Sequence, residues 1–235
     1  MPAEGTGLAS SSAFSVSLLH TLHKYRDERT TNKKLAEEAC KIEIDILKEP
    51  IGKQDQYAVS YGGFNFISFN KDGSVSVDPV KINKKFKKSF EGSLLMFYVG
   101  NTRQASTILI EQSRNISSSQ EKVNIVKQIS SLALDFKKEI YNCNIVHLGK
   151  ILDTGWQLKK QLAGGITNPD INYWYDKAVN AGAIGGKVLG AGGGGFILFI
   201  VQKPKQKSVR RALSKLREFD FKFEDEGSIV LYNNN

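Results

Sequence analysis

The stretch Glu4-Gly5-Thr6-Gly7-Leu8-Ala9-Ser10-Ser11-Ser12-Ala13 leads straight into Phe14-Ser15-Val16-Ser17-Leu18-Leu19. Glycines come first, hydroxyls next and an apolar run last, the order of a loop entering a helix N-terminus. Two readings follow. In one, glycine backbone wraps an anion, and the unpaired N–H groups and positive dipole end of the first turn favour phosphate. The serine oxygens can then hold a hard cation such as Mg2+. In the other, serines simply cap a helix after a glycine turn. Loops of this kind usually follow a strand, and only a few residues precede this one. Either the fold begins unusually or an N-terminal portion lies outside this chain.

Outward from the loop, apolar spacing predicts a helix over 13–25 and a second from 33 to about 47, capped by Thr31-Asn32 and broken at Pro50-Ile51-Gly52. A short helix over 53–61 should end at Gly62-Gly63, followed by strands at 64–69 and 74–80 around the turn Asn70-Lys71-Asp72-Gly73. Residues 93–99 read as a buried strand. Helices follow from about 103 to 161, with breaks at 117–120 and 142–144. Asn168-Pro169-Asp170 opens a helix through 179. A strand at 196–201, a basic helix at 208–219 and a last strand at 228–232 complete the reading. The charge-rich segment 81–92 is the best boundary, dividing the chain into domains at 1–90 and 91–235.

Bulk properties narrow the function. Hydrophobic content of 40% and charged content of 24% are those of a soluble globular protein. The chain has no apolar run of membrane-spanning length, and its first residues lack a signal peptide's pattern. Cys40 and Cys143 stand far apart without metal spacing, which reads as reduced thiols in a cytoplasmic protein. The formal charge of +9 fits either nucleic acid or a basic pocket for phosphorylated ligands. Neither an RNP-type strand nor zinc-finger spacing supports nucleic acid, and no membrane partner is expected.

Two more stretches carry chemistry. In Glu49-Pro50-Ile51-Gly52-Lys53-Gln54-Asp55-Gln56-Tyr57-Ala58, Asp55 can accept the proton of an attacking hydroxyl, or it can cap a short helix. Upstream, one of Glu37, Glu38, Glu43 and Asp45 could complete a Mg2+ site with the serine loop, while the others stay solvated. The run from Gly185 to Ile200 includes Gly190-Ala191-Gly192-Gly193-Gly194-Gly195. Strand, not helix, follows these glycines, which excludes a dinucleotide fingerprint. Close backbone approach to a ligand or to another loop explains them.

The three stretches in this order resemble the GHMP kinase superfamily. Ile42-Glu43-Ile44-Asp45, Gly52-Lys53-Gln54-Asp55-Gln56-Tyr57-Ala58 and Tyr61-Gly62-Gly63-Phe64-Asn65-Phe66 are similar to its heptose 7-phosphate kinase branch. The resemblance implies an α+β fold: a partial ribosomal S5 domain 2-like N-terminal domain, then a ferredoxin-like C-terminal domain, with the active site in the cleft between them. It implies transfer of the ATP γ-phosphoryl to the anomeric hydroxyl of D-glycero-D-manno-heptose 7-phosphate, giving the 1,7-bisphosphate. The alternatives are another sugar 1-kinase, fucokinase-like, or an inactive truncated fragment.

Carried over residue by residue, Asp55 becomes the catalytic aspartate. Lys53 can lower its pKa or steady transferring charge. Gly5, Thr6, Gly7, Leu8, Ala9, Ser10, Ser11 and Ser12 form the ATP-phosphate loop, with Ala9 where Gly or Ser is usual. Ser11 and Glu43 become the Mg2+ ligands. Gly192 and Gly193 pack beside the nucleotide and the sugar, and Arg103 is the candidate for the substrate's own phosphate.

Overall fold

The computed structural model describes residues 7–100 and 105–232. They form two compact units. One takes Met1–Leu8 and Ile82–Lys222; the other takes Ala9–Lys81 and Phe223–Asn235.

The first unit is built on an antiparallel sheet of β3 (Leu94–Gly100), β4 (Gly185–Val188), β5 (Gly195–Ile200) and β6 (Arg217–Phe219), in the spatial order β4-β5-β3-β6. Counted along the chain this is a βαββαβ pattern with strand order 4-1-3-2, the ferredoxin-like arrangement. β5 is apolar at every position after Gly195 and almost wholly buried, as a central strand with both faces covered should be.

Helices α5 (Ala105–Ser118), α6 (Gln120–Tyr141), α7 (Ile145–Lys159) and α8 (Pro169–Asn180) fill the first crossover. Their boundaries follow local chemistry. Ser119, Asn144 and Asn168 each accept a backbone N–H with the side chain, and Pro169 occupies the first turn of α8. Trp156, Ile171, Tyr175 and Ala178 pack with Phe97, Ile197 and Phe199 in one core. α4 (Lys84–Glu91) buries Phe86 and Phe90.

Four differences from the expected elements stand here. The basic helix is α9 (Lys203–Ala212), starting earlier because Pro204 presets its first turn. Residues 217–219, expected to be helical, instead pair with β3 as β6. The expected last strand at 228–232 does not form. The glycine-rich 185–188, given no strand in the sequence reading, is β4.

The second unit holds α1 (Ser10–Tyr25), α2 (Asn32–Cys40), a π-helical turn (Lys41–Ile46), α3 (Gln54–Tyr61) and the hairpin β1 (Asn65–Phe69)–β2 (Val75–Pro79). Val16 packs with Leu35 and Ala39, while Ala36, Cys40 and Tyr57 meet Ile67 and Val77 of the hairpin. Burial lifts the Cys40 thiol to about 11.

The tail clasps the end of α3. Gly63 N–H donates to Glu224 O at 2.8 Å, and Phe64 meets Phe223 edge to face with centroids 4.6 Å apart. Gly62 and Gly227 lie so close to the opposing backbone that a Cβ on either would overlap it. By contrast, Phe14, Leu18 and Leu22, spaced four residues apart on α1, are exposed, as are Ile46 and Leu47.

Candidate active site

The site starts at the N-terminus of α1. Ala9 precedes the helix in the left-handed region, at φ 57, and its side chain caps nothing. The three serines are helical residues, not caps, so the first-turn amides of α1 lack a side-chain cap. The serine-cap reading of this stretch is therefore not what forms. The chain changes units at this point: Leu8 belongs to one and Ala9 to the other.

Within the first unit, Gly7 packs against the distant glycine loop. A Cβ at Gly7 would lie 2.5 Å from Leu189 O, and one at Gly190 would lie 2.6 Å from Gly7 Cα. Both have positive φ, 73 and 69, so glycine is required twice over. Lys159 Nζ donates to Gly190 O at 2.5 Å and holds the loop from α7.

Gly192 and Gly193 serve loop-to-loop packing. A Cβ at Gly192 would lie 2.5 Å from Ile166 O, and the same carbonyl accepts Gly193 N–H at 2.9 Å. Of the two close approaches considered for these glycines, the structure shows the one to another stretch of chain. The Gly193 amide is already engaged.

Within the second unit, the π-helical turn carries Glu43, whose residue exposure is only 3%. Its Oε2 accepts Ser12 Oγ at 2.9 Å and Gln56 Nε2 at 2.5 Å. A buried carboxylate needs such donors. Both bonds fall on one oxygen, leaving Oε1 outside them. Glu43 and Ser11 also line a cavity of about 520 Å³ whose remaining wall is mainly apolar, including Phe14, Leu18 and Ile51.

The serine hydrogen-bonded to Glu43 is therefore Ser12, where Ser11 had been expected to share its metal. Ser12 sits one helical turn before the buried Val16 and so faces inward. That phase was visible in the sequence, whereas nothing there marked Gln56. Among the described residues no group of three or more His, Cys, Asp or Glu could hold a metal by itself. The oxygens of Glu43 and Ser11 suit Mg2+ only in the way it commonly binds, with phosphates and waters completing the shell.

Asp55 lies exposed in the first turn of α3. The N-cap position belongs to Lys53, so Asp55 is not the helix cap. Lys53 Nζ donates to Gly73 O in the hairpin turn at 3.0 Å, tying the start of α3 to β1–β2. Gly5, Thr6 and Arg103 lie outside the described residues. No helix among the described residues is long and apolar enough to cross a membrane.

Comparison with known proteins now bears on this arrangement. Residues 2–63 match the family model for the GHMP kinases N-terminal domain, and residues 136–218 match that for the GHMP kinases C-terminal domain. The chain is 29% identical over 225 residues to a D-glycero-alpha-D-manno-heptose 7-phosphate kinase of Campylobacter jejuni, covering 95% of this chain and 66% of that protein. It is 26% identical to a galactokinase of Pyrococcus furiosus, over 93% of this chain and 67% of the other.

Among solved structures, a putative sugar kinase from Campylobacter jejuni superimposes with a TM-score of 0.74 at 30% identity, over 95% of this chain and 64% of that one. A D-glycero-D-manno-heptose 1-phosphate kinase from Bacteroides thetaiotaomicron gives 0.72 at 27%, over 97% and 65%. This chain thus spans slightly less than two thirds of the heptose kinases it matches. With the N- and C-terminal models matched in order, and the fold shared with solved sugar kinases, the chain belongs to the GHMP kinase family.

Proposed function

We propose that this protein transfers the γ-phosphoryl group of ATP to the anomeric hydroxyl of D-glycero-D-manno-heptose 7-phosphate. The observation that carries the reading is the buried bond from Ser12 to Glu43. It ties a hard-oxygen carboxylate to the first turn of the helix that opens at the serine loop.

Gly5, Gly7 and Ser10 are the residues assigned to the phosphates of ATP, and the N–H groups and helix dipole at the uncapped start of α1 favour anions. Glu43, through Oε1, and Ser11 would hold Mg2+, which would neutralise charge on the transferring phosphates. Asp55 orients the sugar hydroxyl and takes its proton, and Lys53 keeps the start of α3 fixed to the hairpin. Arg103 is the group for the sugar's own phosphate, a bidentate partner by chemistry. Phosphoryl transfer needs little covalent work from the protein, so positioning and charge carry the rate.

The test is ADP release by the purified chain with Mg2+, ATP and heptose 7-phosphate, beside L-fucose and D-galactose. ADP with the heptose phosphate alone, abolished by Asp55→Asn while nucleotide binding persists, is the expected result. ADP with L-fucose instead would favour a fucokinase-like enzyme. No ADP from any sugar, with no ATP binding, would reduce the chain to an inert fragment.

A further inference from the structure

Gln56 adjoins the proposed base, and its side chain lies on a different face of α3. It is fully buried on the inner face of α3, while Asp55, one residue earlier, is exposed. Successive helical residues are rotated by about 100°, so one turn of α3 presents a carboxylate outward and an amide inward. The inward amide donates to Glu43 Oε2 at 2.5 Å.

The other end of the same amide is unsatisfied: Gln56 Oε1 is buried with no hydrogen-bond partner, and so is Ser60 Oγ one turn further along that face. Flipping the amide would set Oε1 against a carboxylate oxygen, two acceptors face to face, so the orientation is dictated. A buried glutamine with an orphaned oxygen is a poor way to fill a core, and a group of that kind calls for an explanation. An apolar side chain of equal size would fill the same space without an orphaned oxygen of its own. What Gln56 does that such a side chain cannot is grip Glu43.

We infer that Gln56 is a positioning residue for the metal carboxylate. Together with Ser12 it occupies Oε2, which fixes the rotation of Glu43 and leaves Oε1 as the oxygen for the cation. It also couples that oxygen to the helix that carries Asp55. The inference rests on the reading of Glu43 as a Mg2+ ligand.

The experiment uses Mn2+ as probe, titrated into the full chain with ADP present and followed by electron paramagnetic resonance, beside thermal melts. Gln56→Met removes the donor at nearly constant volume. The expected result is Mn2+ affinity lower by about tenfold or more, the usual effect of losing a group that orients a ligand, measured below a melting transition that is lowered as in Ser12→Ala. Glu43→Gln should bind no Mn2+, so that the sharp spectrum of unbound Mn2+ with ADP is left as it is without protein. Lost binding in Glu43→Gln with unchanged affinity in Gln56→Met overturns the inference and leaves the metal reading standing. Unchanged binding in Glu43→Gln overturns the metal reading, and the inference with it. Should Gln56→Met not fold, Gln56→Asn decides: its amide falls one methylene short of Glu43, and wild-type Mn2+ affinity in it overturns the inference.

Discussion

Ser12 Oγ donates to Glu43 Oε2 at 2.9 Å, a buried bond between residues 31 apart in the chain. It joins the first turn of α1 to the π-helical turn. Ser12→Ala leaves the carboxylate with the Gln56 amide as its side-chain donor. The expected cost is about 1–3 kcal/mol, a melting temperature lower by roughly 2–4 °C for each kcal/mol in a chain of this size. Calorimetry on the two proteins checks it. An unchanged melting curve would mean that Glu43 is not held through this bond.

Gly7 and Gly190 make the second joint of the site. Gly190→Ala sets a methyl group 2.6 Å from Gly7 Cα at a positive φ, so the loop before α1 must shift. Affinity for a non-hydrolysable ATP analogue should fall at least about tenfold, or about 1.4 kcal/mol. Isothermal titration measures it, and wild-type affinity would show that the nucleotide does not depend on this packing.

His23 bridges two carboxylates, with Nε2 2.6 Å from Glu38 and Nδ1 2.8 Å from Glu28. The bond to Glu38 is the main cause that raises its pKa above 6.5; desolvation opposes it and the bond to Glu28 adds to it. Arg26 and Lys34 are the cations beside the cluster. A histidine with a raised folded pKa stabilises most below its unfolded value and loses that contribution as pH rises through the folded one. Melting temperature should therefore fall across the range above pH 6.5, and His23→Gln should flatten that part of the profile. A profile that keeps the same slope in His23→Gln would assign the effect elsewhere.

Much of this structure is legible in the sequence, and its less legible parts share physical causes. Ser119, Asn144, Asn168 and Pro169 announce helix starts by themselves because caps act locally. β4 is hidden because Gly185 and Gly186 have poor strand propensity. They are glycine there because a Cβ at Gly185 would overlap the Gly149 carbonyl of α7 and one at Gly186 the Phe199 ring. The π-helical turn leaves no periodic trace, since Ile42 and Ile46 also suit an ordinary helix. Residues 217–219 extend a helical-looking run and become strand only because β3 offers an edge. In the site, Glu43 was one of four acidic candidates until the resemblance singled it out. Gln56 is ordinary as a residue type and acquires meaning only from the carboxylate it meets.

The exposed stripe Phe14, Leu18 and Leu22 supports a different kind of experiment. Leu47 lines the same cavity as these three side chains and is also uncovered, as is Ile46 beside it, so this protein should enhance the fluorescence of an anilinonaphthalene dye in its native state. Leu18→Gln with Leu22→Gln should cut that signal by more than half. Each change should shift stability by only about 0.5 kcal/mol, because neither side chain is in the core. Unaltered dye fluorescence would place the dye elsewhere.

The clasp of residues 223–228 on Gly62 and Gly63 has a practical corollary. A gene fragment stopping at Lys81 would encode α1, α2, α3 and the hairpin, yet leave a backbone-wide slot beside those glycines with nothing in it. A self-standing version of that unit calls for circular permutation, with the final stretch of the polypeptide stitched ahead of Ala9 or looped back behind Lys81 by a linker.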